Sequence, residues 1–137
     1  MKPKVLLVDD DRAALYALRE ALGGLPAQLH VAESGEEALR LVLRHQFAAI
    51  LLDVRLPKMD GFEVAAAIRS VERLSHTPIV FMSAIEDRRQ QPREGAPDYL
   101  RKPLALELVR SKLLALLRSG QGAPHPSAIQ QPARPGL

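Results

Sequence analysis

The strongest constraint on the fold is an alternation: short runs of Val, Ile and Leu are separated by longer stretches of helical period. Apolar runs of about 4–8 residues bounded by turn residues read as strands, and strands with almost no polar positions must be covered on both faces. Segments with apolar residues three and four apart supply the covering helices. The pattern specifies an α/β fold built on a doubly wound, five-stranded parallel sheet.

The strands are read at "KVLLV" (4–8), "AQLHVA" (27–32), "AAILLD" (48–53), "PIVFMS" (78–83) and a short "DYL" (98–100). The first helix is "AALYALREAL" (13–22), with Leu15, Leu18 and Leu22 on one side and Gly23 and Gly24 ending it. In "SGEEALRLVLRH", Ser34 and Glu37 have capping-box spacing, Glu36 and Glu37 suit the positive end, and Leu39, Val42 and Leu43 form the apolar stripe. A helix from about 61 to 71 turns Val64, Ile68 and Val71 inwards. The last helix, in "KPLALELVRSKLLALLR", has a core face of Leu106, Val109, Leu113, Leu116 and Leu117, with Leu108 falling opposite it.

Composition narrows the class. A chain of 137 residues has room for one sizeable core, which places a single domain at 1–118 and a Pro/Gly-rich tail or linker, expected to be disordered, at 119–137. There is no cysteine, so disulfides and thiolate metal sites are excluded. The N-terminal apolar run meets "DDD" at once, unlike a signal peptide or a membrane span. The chain therefore reads as soluble and cytoplasmic, with no membrane partner. The pI near 9.6 reflects a net charge of only +3. Basic residues are interspersed with acids, and three Phe, two Tyr and no Trp make a base-stacking platform improbable, which argues against direct nucleic-acid binding.

The chemistry gathers at the strand ends. In an open, doubly wound sheet, ligands bind outside the carboxyl ends of the strands near the switch in strand order. Asp9 and Asp10 end the first strand, Asp53 ends the third, and Ser83 and Lys102 follow the fourth and fifth. Singly, each has a plain structural role: Asp10 or Asp11 as a helix cap, Ser83 as a loop tie, Lys102 as a solvated charge. Jointly, carboxylates at one place repel one another unless a cation neutralises them. An all-oxygen donor set favours a hard divalent ion, Mg2+ above all.

The segments "VLLVDDD", "LLDVRLPKMDGFE", "PIVFMSA" and "DYLRKP", in this order and at these strand ends, resemble the receiver domain of two-component response regulators, over residues 4 to about 118. The resemblance implies a flavodoxin-like sheet of order 2-1-3-4-5. It implies that Asp53 accepts a phosphoryl group from a sensor histidine kinase, and that Asp9, Asp10, Asp53 and the Arg55 backbone carbonyl hold Mg2+. By the same resemblance Lys102 and Ser83 contact the phosphoryl group, Ser83 and Tyr99 form a switch pair, and Pro103 occupies a cis-proline position. The protein would then be a phosphorylation-activated switch controlling a downstream protein, and not an enzyme acting on a separate substrate.

Two places depart from the family pattern. In "AIEDRRQQPREGAPDYL" no residue from Glu86 to Glu94 is apolar and Pro92 interrupts any helix, so the fourth helix is expected to be short or degenerate. Sheet surface near Val80, Met82 and Tyr99 would then be less covered, favouring a homodimer or a covering partner. Arg55, two residues after Asp53, is expected to tune dephosphorylation, and it replaces the second carboxylate that an Asp-nucleophile phosphohydrolase would carry there. A receiver excised from a hybrid histidine kinase or longer regulator, or one that signals by phosphorylation-independent contacts, fits the same residues.

Overall fold

The computed structural model describes residues 2–84 and 98–120. The elements are β1 (Lys4–Val8), α1 (Arg12–Ala21), β2 (Gln28–Ala32), α2 (Gly35–Arg44), β3 (Ala49–Asp53), α3 (Gly61–Arg69), a 3-10 turn (Glu72–Leu74), β4 (Ile79–Ala84), β5 (Tyr99–Lys102) and α4 (Leu106–Gly120). All strand pairs are parallel and the sheet order is β2-β1-β3-β4-β5, as the family resemblance implied. β1 lies between β2 and β3, so the chain first steps to one side of β1 and then crosses to the other. The crevice at the carboxyl ends of β1 and β3 is the switch point.

Strand alternation divides the core into two layers. Val5, Leu7, Leu51, Val80 and Met82 pack with Leu15 and Leu18 of α1 and with Val109, Leu113 and Leu117 of α4. Leu6, Val8, Ile50 and Leu52 face the other way, against Ala38 and Val42 of α2 and Val64 and Ile68 of α3. Both faces are covered, which is why these strands carry almost no polar positions.

Three expectations need correction. Leu43 is 58% exposed, because α2 turns Gly35, Ala38 and Val42 to the interior and leaves Leu43 about 100° further round the helix. Leu106 is 39% exposed at the first turn of α4, before Val109 brings the helix onto the sheet. Val80, Met82 and Tyr99 are all buried, and they do not share a face. Val80 and Met82 point to the α1/α4 layer, while Tyr99 stands opposite Phe81 on the α3 side. The fourth-helix reading falls at 86–97, and all but the first two residues of the proposed tail fall at 121–137; both stretches lie outside the described residues. α4 runs two residues past the boundary placed at 118.

Candidate functional site at the carboxyl edge of the sheet

β1 and β3 are direct neighbours, with Val8 opposite Leu52, so the residues that follow, Asp9 and Asp53, meet at the switch point. The ladder continues past the strand ends. Asp9 N–H donates to the Ala32 carbonyl (3.1 Å) and Val54 N–H to the Met82 carbonyl (2.9 Å), holding the backbone on which both carboxylates are mounted. Asp9 is 1% exposed and Asp53 5%, a burial that two ionised carboxylates tolerate only with a partner.

Lys102, the last residue of β5, is that partner: its Nζ lies 3.0 Å from Asp9 Oδ2 and 3.0 Å from Asp53 Oδ2. The Lys102–Pro103 peptide bond is cis. The other carboxylate oxygens are held by backbone: Asp9 Oδ1 accepts from Asp11 N–H at 3.0 Å, and Asp53 Oδ1 from Arg55 N–H at 3.2 Å. The run "DDD" thus divides its labour. Asp9 is buried, Asp10 stays exposed beside it, and Asp11 caps α1 by accepting from the Ala13 and Ala14 N–H groups.

The Asp53 carboxyl is raised to about 6 by burial and by the neighbouring Asp9 charge, against the opposing pull of Lys102 and the Arg55 N–H. Burial disfavours the charge on Lys102, but its hydrogen bonds to Asp9 and Asp53 prevail and raise its pKa. Lys102 bridges two members of a three-carboxylate group, Asp9, Asp10 and Asp53, each of which offers an oxygen within 4.8 Å of the others. The donors are all oxygen, and the exposed Asp10 leaves one side open to water. That combination fits a hydrated divalent cation of the Mg2+ kind.

The response regulator receiver domain pattern matches residues 5–114. The chain belongs to this family. It is 38% identical over 121 residues to the response regulator MprA of Mycobacterium sp. (strain KMS), which covers 86% of this chain and 52% of that protein. The chain therefore spans about half the length of the curated relatives it matches. Among solved structures it resembles the Francisella response regulator 1452 receiver domain (TM-score 0.75, 25% identity, 87% of this chain and 99% of that one). It also resembles the chemotaxis response regulator CheY4 of Vibrio cholerae (TM-score 0.74, 29% identity, 85% and 99%). Among the described residues no helix is long and apolar enough to cross a membrane.

Within this receiver domain the remaining candidate residues fall in two places. Arg55, Asp10 and Ala84 border the same cleft as Asp9, Asp53 and Lys102. Ser83 is 1% exposed and its hydroxyl donates to the Ala84 carbonyl (3.2 Å). Tyr99 stands opposite Phe81, two residues before Ser83, so the two proposed switch residues share a sheet face as diagonal neighbours. The Tyr99 hydroxyl is buried and has no hydrogen-bond partner among the described residues.

Reading from sequence missed how the loop between β3 and α3 is held. Asp60 caps α3 in a full capping box, its carboxylate accepting from Glu63 N–H (2.9 Å) while Glu63 Oε1 accepts from Asp60 N–H (3.0 Å). The D-x-x-E spacing at 60–63 was the available signal. Ser34 and Glu37 make only half of such a box: Ser34 accepts from Glu37 N–H, but Glu37 reaches past it to Glu33 N–H.

Proposed function

We propose that the domain is switched by phosphorylation of Asp53, with Mg2+ held by Asp9, Asp10, Asp53 and the Arg55 backbone carbonyl. The observation that carries this reading is the bridge from Lys102 to both buried carboxylates, which gathers nucleophile, charge partner and cation-binding oxygens at one strand edge. An Asp53 oxygen attacks the phosphorus of a phosphodonor. The new O–P bond makes an acyl phosphate, and the donor's leaving group departs with the electron pair of the broken bond. Bound Mg2+ supplies charge neutralisation on the transferring group.

The chain's own residues do the rest. With its carboxyl raised only to about 6, Asp53 is mostly ionised at neutral pH and able to act as nucleophile. Lys102 exchanges an Asp53 oxygen for a phosphoryl oxygen without leaving Asp9, so one cation serves both states. The Ser83 hydroxyl exchanges the Ala84 carbonyl for another phosphoryl oxygen, and Tyr99 answers on the same sheet face. Contacts made in only one state bias a two-state equilibrium. The phosphodonor is a sensor histidine kinase, the setting the cytoplasm, and the output a downstream protein that reads the altered surface. Intact mass after incubation with Mg2+ and acetyl phosphate tests this. One added phosphoryl group is expected, absent without Mg2+ and absent in Asp53→Asn; a phosphoryl group retained by Asp53→Asn would sink the assignment.

A further inference from the structure

The loop from Val54 to Asp60 leaves the sheet at the site and returns to it at Gly61. Its two ends are tied to one residue. Val54 N–H donates to the Met82 carbonyl at 2.9 Å, and the Val54 carbonyl accepts from Gly61 N–H at 2.8 Å. Between them Lys58 takes a left-handed φ of 70°, and Met59 N–H closes the turn on the Pro57 carbonyl at 2.7 Å. Arg55, whose N–H holds Asp53 Oδ1, follows Val54 directly, so the placement of Val54 sets the placement of both.

At Gly61 the first turn of α3 lies directly on that backbone. A methyl group at this position would stand 2.3 Å from the Asp53 carbonyl oxygen and 2.8 Å from Val54 Cα. Both are backbone atoms of the strand end and have no rotamer in which to move aside. Glycine is a poor residue for a helix interior, at about 1 kcal/mol relative to Ala, and close backbone approach is the physical reason to keep one at a helix start. Accommodating a side chain would require the helix start and the Asp53–Val54 peptide to separate, carrying the Asp53 carboxylate away from Asp9 and Lys102.

The geometry points to Gly61 as a positioning residue for the phosphorylation site: it lets α3 press the Asp53–Val54 peptide into place and thereby sets the Asp53 carboxylate and the Arg55 backbone for the metal. This rests on the Mg2+ reading above. Gly35 supplies the comparison within the same layer. A methyl group there would meet Val64 Cγ2 at 2.7 Å and Met59 Sδ at 3.3 Å, side-chain atoms that can give way where the Asp53–Val54 backbone cannot.

The test compares wild type, Gly61→Ala and Gly35→Ala by thermal melting without metal and by calorimetric titration with Mg2+. Gly61→Ala is expected to bind Mg2+ at least about tenfold more weakly, while Gly35→Ala melts lower and binds as wild type does, since the metal carboxylates do not move with it. Equal Mg2+ affinity in Gly61→Ala and wild type overturns the inference, and so does a loss shared equally by both variants. Should Gly61→Ala not fold, amide exchange in wild type decides. Mg2+ at ten times its Kd is expected to slow exchange at Gly61 about tenfold, because opening of the Gly61–Val54 bond and metal binding exclude one another. Exchange at Gly61 indifferent to Mg2+ overturns the inference. A wild-type protein that takes no Mg2+ overturns the metal reading itself, and this inference with it.

Discussion

Lys102 Nζ and Asp53 Oδ2 meet at 3.0 Å across 49 positions of sequence, and the same ammonium holds Asp9 Oδ2. The ammonium thus sits on both buried carboxylates. Lys102→Met is expected to destabilise the Mg2+-free protein at pH 8 by roughly 3 kcal/mol, the scale for stranding a buried charge. The same change should tighten Mg2+ binding several-fold, because the competing positive charge is gone. Chemical denaturation and calorimetry measure the two effects, and weaker Mg2+ binding by Lys102→Met would count against Lys102 as the resting counter-ion.

Asp53 is raised from 3.8 to about 6, so its ionised form is disfavoured in the folded protein. Asp53→Asn should therefore stabilise the Mg2+-free protein at pH 8 by of order 1–3 kcal/mol, since each pH unit between the unfolded and folded values is worth about 1.4 kcal/mol. The urea midpoint reads this directly. A lower midpoint would mean that Lys102 more than offsets burial and the Asp9 charge.

The sign of the pH dependence follows from the same raised carboxyl. Because the folded value lies above the unfolded one, the stability linked to Asp53 is fully present below about pH 4 and is lost as pH rises through about 6. On the Mg2+ reading proposed above, the metal competes with that proton. Its effect on Tm should grow between about pH 5 and pH 7.5, with about one proton released per ion bound near pH 5.5. A Mg2+ increment in Tm that is flat across this range would contradict the raised Asp53.

The Tyr99 hydroxyl is enclosed, and no partner among the described residues compensates its loss of water. Tyr99→Phe is expected to raise the stability of the unphosphorylated domain by about 1 kcal/mol. A drop of similar size in a denaturation curve would show that the hydroxyl has a partner after all.

Arg55 holds Asp53 through its backbone, and its side chain lies exposed at the cleft. Arg55→Ala should still accept a phosphoryl group from acetyl phosphate, with the lifetime of that group changed. An unchanged decay of the phosphorylated mass would remove the side chain from the mechanism.

The sequence by itself determined the parallel sheet and the gathering of Asp9, Asp10, Asp53 and Lys102. Strands without polar positions must be buried on both faces, and strand ends in such a sheet converge on its switch point. It also determined which residues of α1 and its C-cap enter the core, because Leu15, Leu18 and Leu22 make the one face of large aliphatic side chains; all three are buried. Only the tertiary structure decided which member of "DDD" caps α1, since Asp10 and Asp11 are equal as residue types and differ only in where the chain turns. It decided that Leu43 and Leu106 stay exposed, because periodicity marks an apolar face without saying how far a neighbouring element extends over it. It placed Val80 and Met82 on the opposite face from Tyr99, and it decided the role of Gly61. The absence of a side chain carries no chemical signal along the chain, and its meaning appears only when another stretch of backbone lies within a methyl radius of it.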